Sequence, residues 1–243
     1  DDLTRHGASG GLITATRGNH GQSVALAARR YGLNATIVVP HGNSVEKNAA
    51  MRAFGANLIE HGDDFQESLE FCQDKAAADH LTMVPSFHPL LVAGVATYAM
   101  EFFREAGELD TVYVPIGLGS GISGVLTARE ALGYKTEVVG VNAENAAAYA
   151  LSFAQGQMVS TNSVNTMADG VACRVPNAEA LEIILSHADR VITVSDAEIK
   201  EAMRIYFTDT HQVAEGAGAA ALAALMQERG TQQGKRVGVI LSG

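Results

Sequence analysis

The feature that most constrains this chain is a glycine-rich segment between an apolar run and a helical run, at residues 111–131. A β-branched and aromatic run from Thr111 to Val114 precedes Pro115. Four glycines then fall within eight positions, at 117, 119, 121 and 124. Glycines let the backbone turn tightly and bring N–H groups close to an anion, and a following helix adds the positive end of its dipole. The segment therefore predicts a strand, a phosphate-binding loop and a helix.

The loop taken alone leaves its ligand open. Gly119-x-Gly121-x-x-Gly124 fits the dinucleotide pattern G-x-G-x-x-G, and Glu144 follows at about the distance of the residue that binds ribose in such proteins. The same pattern also occurs in turns with a purely structural role. A dinucleotide, another phosphorylated ligand and a structural turn all remain possible at this point.

Strands and helices alternate along the rest of the sequence. Apolar runs near residues 12–16, 35–39, 56–59 and 81–84 are separated by helical runs, and the pattern resumes after a long helix at 91–106. Such alternation is typical of parallel sheets. The sequence predicts an α/β protein with two open, mainly parallel αβα domains, at residues 11–90 and 91–243, and a ligand cleft between them. Residues 1–10 are expected to end an N-terminal segment of the larger domain.

Composition excludes several classes of partner. The formal charge of −10 over 243 residues, with no basic run, disfavours nucleic acids and anionic membranes. No apolar run is long enough to span a bilayer, and the sequence has no signal-peptide pattern. Cys72 and Cys173 are far apart and predict buried thiols in a reducing, cytoplasmic compartment. The histidines show no metal-ligand spacing, so no metal site is expected.

Five short motifs follow one another along the chain: Thr16-Arg17-Gly18-Asn19-His20-Gly21-Gln22, Gly117 to Gly121, Ala168-Asp169-Gly170, Ala214-Glu215-Gly216-Ala217-Gly218-Ala219 and Leu241-Ser242-Gly243. In this order they resemble the motifs of the threonine dehydratases. The resemblance places the chain in the fold-type II branch of pyridoxal-phosphate enzymes, which includes serine racemase and cysteine synthase, and it covers essentially the whole chain. It implies pyridoxal 5'-phosphate as cofactor, a small amino acid as substrate, and a homodimer or higher homo-oligomer.

The resemblance implies a role for each motif residue. The cofactor phosphate would be bound by the larger domain, through Gly117, Leu118, Gly119, Ser120 and Gly121. Asn19 would hydrogen-bond the 3′-oxygen on the pyridoxal ring, and Ser242 would lie beside the pyridine nitrogen. The substrate carboxylate would be bound by the smaller domain, through Thr16, Arg17, Gly18 and His20.

Simpler structural roles stay open for some of these residues. Asn19 and His20 stand where a strand turns into a helix, so they are also candidates for helix caps. Glu215 is equally a carboxylate stabilised by a helix dipole. Ser242 alone would be an ordinary serine at the end of a strand.

Three departures from the family pattern bear on function. The Schiff-base lysine of the resembled enzymes lies upstream of the Thr16 motif, and none of the five lysines here occupies that place, so we expect it to precede Asp1 in a longer polypeptide. Arg17 stands where racemases have a catalytic serine, which argues against racemisation and offers a fork for a second carboxylate or another polar group. Around residues 142–148 only Glu144 is acidic, which is closer to the metal-free pattern.

These features predict a pyridoxal-phosphate-dependent ammonia-lyase, or dehydratase, that converts threonine or serine to a 2-oxo acid and ammonia. Without the lysine, these residues alone are expected to be inactive. The alternatives are an NAD(P)-dependent oxidoreductase built on Gly119-x-Gly121-x-x-Gly124, and a non-catalytic relative that binds amino acids.

Overall fold

The computed structural model describes residues 10–243, which form two compact units. The first unit extends to Ser86 and the second runs from Phe87 to Gly243. The sequence prediction placed the domain boundary at 90/91, a few residues later. The N-terminal segment predicted at residues 1–10 lies outside the described residues, except for Gly10.

The first unit contains a four-stranded parallel sheet, in which the order is β3-β2-β1-β4. The central strand β1 pairs with β2 in a register that places Leu12 beside Ala35. Its elements are β1 (Leu12–Ala15), α1 (Asn19–Arg30), β2 (Ala35–Val39), α2 (Val45–Ala53), β3 (Asn57–Glu60), α3 (Phe65–Ala78) and β4 (Thr82–Met83).

Apolar residues on both faces of this sheet are buried, as expected for parallel strands covered by helices. Leu12 and Ile37 belong to the cluster on one face, whereas Ile13 and Val38 belong to the cluster on the other. This alternation follows from the two-residue period of a strand. The loop after β1 begins at Thr16, directly after the last strand residue, Ala15.

The second unit contains another four-stranded parallel sheet, in the order β7-β6-β5-β8. Successive residues of β5 are again buried on opposite faces of the sheet, with Val112 and Val114 on one face and Tyr113 on the other. Its elements are α4 (Pro89–Ala106), β5 (Thr111–Pro115), α5 (Ser120–Leu132), β6 (Glu137–Ala143), α6 (Ala148–Gln155), α7 (Ala178–His187), β7 (Arg190–Val194), α8 (Asp196–Ile205), α9 (Gly216–Glu228) and β8 (Val237–Val239).

The alternating pattern predicted from the sequence is confirmed, with small corrections. The long helix predicted at 91–106 begins two residues earlier, at Pro89. Short 3-10 turns lie at Glu144–Ala146, before α6, and at Asp169–Val171, between α6 and α7. A π-helical turn at Tyr206–Thr210 follows α8 and was not anticipated. Ser195 and Glu198 form a capping box at the start of α8.

Within residues 10–243, no helix is both long enough and apolar enough to cross a bilayer.

A polar network joins the amino-terminal ends of three strands in the second unit. Arg190, the first residue of β7, bonds Glu137 on β6 at 2.7 Å and Glu228 at the end of α9 at 2.6 Å. Tyr113 donates a hydrogen bond to Glu228 and accepts one from Gln232. Because the carboxyl ends of these strands are at the opposite edge of the sheet, the network stabilises the unit away from the glycine-rich loop.

The network changes the acidity of both carboxyl groups. The hydrogen bond from Arg190 lowers the pKa of Glu228, against the opposing effect of burial. Burial alone would raise the pKa of Glu137, but the hydrogen bonds from Arg190 and Thr111 outweigh it and the pKa is lowered. Groups with a lowered folded-state pKa stabilise the protein above their unfolded pKa, and that stability is lost as the pH falls through the folded pKa.

Glu228→Gln should lower the free energy of unfolding at pH 7 by about 1–3 kcal/mol, because it weakens a charged hydrogen-bond network. The difference from wild type should shrink below about pH 4.3, the usual pKa of a glutamate, as the wild-type carboxyl becomes protonated. Urea unfolding at several pH values would measure both effects. Glu201→Gln is the matched control, since its pair with Arg204 is exposed and should be worth less than about 1 kcal/mol. Equal effects of the two substitutions would contradict the prediction.

Candidate active site

The glycine-rich loop of the second unit leaves the carboxyl end of β5 and enters α5. Gly119 is the residue before the first helical turn and has a φ of 104°, a conformation that other residues adopt only with strain. Its carbonyl accepts the hydrogen bond from Ser123 N at 3.0 Å. The predicted strand, loop and helix are therefore all present.

Two carbonyl groups of this loop are held by buried side chains. Asn142 Nδ2 donates to Ile116 O at 3.2 Å, and Asn142 Oδ1 accepts from Ala150 N at 2.9 Å. Tyr149 donates to Leu118 O at 2.7 Å and accepts from Asn177 N at 3.0 Å. Burial raises the pKa of Tyr149, so its hydroxyl remains a donor at neutral pH.

The backbone N–H groups of the loop are available to bind a ligand. Within residues 10–243, no acceptor bonds the N–H groups of Gly117, Leu118 or Gly119. The first N–H groups of α5 also lack acceptors within their own helix. Because the carbonyls are bonded elsewhere, the loop presents donors together with the positive end of a helix dipole, which is an arrangement suited to a phosphate.

Four of the five sequence motifs meet around this loop. A methyl group on Gly117 would overlap the carbonyl oxygen of Gly170, and one on Gly170 would lie 2.8 Å from Ala217 Cβ. A methyl group on Gly218 would overlap the carbonyl oxygen of Gly243, and that same oxygen accepts a hydrogen bond from Glu215 N at 3.1 Å. The motifs at 117–121, 168–170, 214–219 and 241–243 are therefore packed backbone to backbone, with Ser242 among them.

The fifth motif lies in the first unit, after β1. Thr16 Oγ1 accepts hydrogen bonds from Gly18 N at 2.9 Å and Gly21 N at 3.4 Å. Thr16 therefore stabilises the turn into α1. Among the described residues, no acceptor bonds the proton of its hydroxyl group. The Gly18 N–H, which was predicted to bind substrate, is engaged with Thr16 in the structure.

Asn19 and His20 do not occupy the cap position of α1, which belongs to Gly18. His20 Nε2 lies 3.0 Å from Thr14 Oγ1, and that hydroxyl donates to Val84 O at 2.7 Å. Since the Thr14 proton is used, His20 is the donor and carries its proton on Nε2. Burial lowers the pKa of His20, with partial opposition from a backbone hydrogen bond at Val84, so the ring is neutral and ties the loop to the sheet.

The predicted residues thus fall into two groups. Thr16, Arg17, Gly18, Asn19 and His20 lie in the first unit, and Gly117 to Gly121 and Ser242 lie in the second. That the two groups face one ligand remains a prediction. Sequence analysis did not identify Asn142 and Tyr149 as residues of the site. The tyrosine within an alanine-rich helix could have indicated Tyr149, because a buried hydroxyl needs hydrogen-bond partners.

The contact between Gly117 and Gly170 can be tested with a matched pair of alanine substitutions. Gly117→Ala should lower the free energy of unfolding by about 1–3 kcal/mol, because a backbone carbonyl cannot yield like a side chain. Gly121→Ala should be neutral, or stabilising by up to about 1 kcal/mol, because the nearest atom to its new methyl group is Pro115 O at 4.0 Å and alanine favours a helix. Urea unfolding measures both, and equal stabilities would contradict the tight packing.

Comparison with known proteins identifies the family. The family model for "Pyridoxal-phosphate dependent enzyme" matches residues 1–243. The L-threonine ammonia-lyase of Thermotoga maritima is 33% identical over 236 residues, covering 96% of this chain and 58% of the relative. The biosynthetic L-threonine dehydratase IlvA of Salmonella typhimurium is 34% identical over 244 residues, covering 99% of this chain and 48% of the relative.

A solved structure of a threonine deaminase has the same fold as this chain. The processed form of threonine deaminase isoform 2 from Solanum lycopersicum superposes with a TM-score of 0.91 at 30% identity, covering 100% of this chain and 68% of that chain. The chain spans between about half and 58% of the length of the two curated relatives described above. It belongs to the family of pyridoxal-phosphate-dependent enzymes, with the fold-type II architecture of the threonine dehydratase branch.

Proposed function

We propose that the whole protein is an ammonia-lyase that converts a small β-hydroxy amino acid, threonine or serine, to a 2-oxo acid and ammonia. The observation that carries this proposal is the convergence of four family motifs on one phosphate-suited loop. The threonine ammonia-lyase and dehydratase names of the relatives support the choice of reaction.

The residues present fit the cofactor of the family. The loop at Gly117 to Gly121 offers N–H groups at a helix amino end, and its flanking carbonyls are bonded to Asn142 and Tyr149. Ser242 lies in the segment packed against α9, where a neutral hydroxyl beside the pyridine nitrogen would limit protonation of that nitrogen. When bound, pyridoxal phosphate supplies a carbonyl carbon for the substrate amine and a ring that accepts electron density from Cα.

The first unit supplies the remaining contacts of the proposal. The Thr16 hydroxyl would donate to the α-carboxylate of the substrate, together with the backbone of the Gly18–His20 turn, and Arg17 would contact the substrate through its guanidinium group. Asn19 would hydrogen-bond the 3′-oxygen on the pyridoxal ring. Loss of the Cα proton and of the β-hydroxyl as water leaves an enamine, and its hydrolysis consumes one water and releases the 2-oxo acid and ammonia.

The family assignment also bears on the earlier alternatives. Gly124, the last glycine of the dinucleotide pattern, packs against α4, where a methyl group would lie 2.7 Å from Val95 Cγ1 and 3.0 Å from Ala96 N. That glycine is therefore explained by helix packing. A homodimer or higher homo-oligomer and a cytoplasmic location stay predictions from the resemblance and the cysteine usage.

Turnover tests the reaction itself. The full-length protein with pyridoxal phosphate should produce equal amounts of ammonia and 2-oxo acid from L-threonine or L-serine, measured by coupled assays. Cofactor binding without any 2-oxo acid would overturn the proposed reaction and favour a non-catalytic amino-acid-binding protein. Tight binding of a nicotinamide dinucleotide in a titration would instead support the oxidoreductase alternative.

A second experiment tests the phosphate site. Tyr149→Phe leaves the Leu118 carbonyl and the Asn177 N–H without their partner, so we expect the Kd for pyridoxal phosphate to rise about 10-fold, equivalent to roughly 1.4 kcal/mol. Titration of the apoprotein, followed by absorbance, measures this change. Tyr134→Phe is the control, since Tyr134 packs edge-on against Phe103 in the same unit.

Pyridoxal without its phosphate separates this site from a general effect on the fold. Its affinity should be equal in wild type and Tyr149→Phe. An equal loss for pyridoxal and for its phosphate would show that the loop does not hold the phosphate.

A further inference from the structure

The part of the sequence that contains the Thr16 loop has no acidic side chains. The chain carries 27 acidic residues, yet none lies between residues 3 and 45. The basic residues Arg17, Arg29 and Arg30 fall in the same stretch, which includes β1, the Thr16 loop and α1. An acidic protein therefore builds this loop from a stretch with local positive charge, which favours an anionic ligand.

Arg17 is the charged residue of the loop, and one nitrogen of its guanidinium has no hydrogen-bond partner among residues 10–243. Its Nε is buried and has no hydrogen-bond partner, and no described residue forms an ion pair with the side chain. Leaving such a donor without a partner costs about 1–3 kcal/mol, and more for a charged group. A ligand with a carboxylate would match the guanidinium fork with two parallel hydrogen bonds.

A second cation lies over the same turn. Lys47, in the first turn of α2, crosses Gly18 so closely that a methyl group there would lie 2.7 Å from Lys47 Cδ and 3.4 Å from Nζ. Gly18 precedes the first turn of α1, so the ammonium group lies beside the positive end of that helix dipole. An anion bound at this turn would therefore be attracted by both cations and by the helix dipole.

A threonine or serine zwitterion offers this turn a single carboxylate. The proposed function already assigns to that carboxylate the Thr16 hydroxyl and backbone N–H groups. A substrate with a second anionic group would add one negative charge and two more acceptor oxygens. It therefore matches the charge of the turn better than a neutral zwitterion does.

We propose that the substrate of this site is a β-hydroxy amino acid with a second carboxylate, bound through the Arg17 fork with Lys47 as an auxiliary cation. This inference rests on the proposed function for the reaction, but the second-anion subsite is a property of the first unit. Arg17 would then determine specificity, and Lys47 would strengthen the same contact from α2.

Equilibrium binding tests the subsite without turnover. Succinate and butyrate have the same carbon chain and differ by one carboxylate, so isothermal titration of the full-length protein isolates the second anion. We expect wild type to bind succinate at least 10-fold more tightly than butyrate. Arg17→Ala should abolish the difference, and Lys47→Met should reduce it. Arg29→Ala, which removes an exposed cation from α1, should retain it.

Turnover provides the second arm. 3-Hydroxyaspartate is serine with a carboxylate on Cβ, so the ratio of kcat/KM for these two substrates measures the contribution of the second anion. The ratio should exceed 10 in wild type, fall about 100-fold in Arg17→Ala, and stay unchanged in Arg29→Ala. Circular dichroism of each variant checks that it is folded.

The outcomes separate this inference from the proposed function. Turnover of serine with no preference for 3-hydroxyaspartate, or an equal loss on both substrates in Arg17→Ala, would overturn the second-anion subsite alone. No turnover of either substrate would overturn the proposed reaction, and the succinate and butyrate titrations would still decide the subsite. No preference for succinate over butyrate would overturn the subsite whatever the turnover.

Discussion

Close contact between backbone segments in the second unit is the constraint on which the candidate site depends. Gly117 meets the carbonyl of Gly170, Gly170 meets Ala217, and Gly218 meets the carbonyl of Gly243. Each contact requires a residue without a side chain, because a methyl group would overlap the neighbouring atoms. These contacts bring segments more than 120 residues apart in sequence to one end of the sheet, and they hold the phosphate-suited loop in place. The glycines thus serve packing between loops as much as the approach of a ligand.

Stability and ligand binding are separated along the strands of this unit. The Arg190 network with Glu137, Glu228 and Tyr113 lies at the amino-terminal ends of the strands, whereas the glycine loop follows their carboxyl ends. Charged groups that stabilise the fold can therefore be fully paired without competing for a phosphate. At the opposite edge, Asn142 and Tyr149 bond two loop carbonyls, and the N–H groups of Gly117, Leu118 and Gly119 have no acceptor among the described residues. Uncharged side chains are suited to this task because they add no charge of their own.

The first unit handles charge differently. Its Thr16 loop is built from a stretch without carboxylates, and Lys47 crosses the turn at Gly18. The loop also contains Arg17, whose buried Nε has no hydrogen-bond partner among the described residues. His20 remains neutral and bonds Thr14, so it anchors the loop and adds no charge. The positive charge near this turn therefore comes from Arg17 in the loop and Lys47 on α2. Replacing either residue with an uncharged one should lower that charge.

The sequence by itself determined the alternation of strands and helices, the two-unit organisation, and the family, because strand and helix periods are local and the motifs are short continuous segments. The strand at 35–39 has the predicted bounds for the same reason. Only the tertiary structure decided which side chains hold the loops. Tyr149 reaches Leu118 across 31 residues, and Lys47 reaches Gly18 from another helix. Such contacts depend on how elements pack, and no local pattern records that packing.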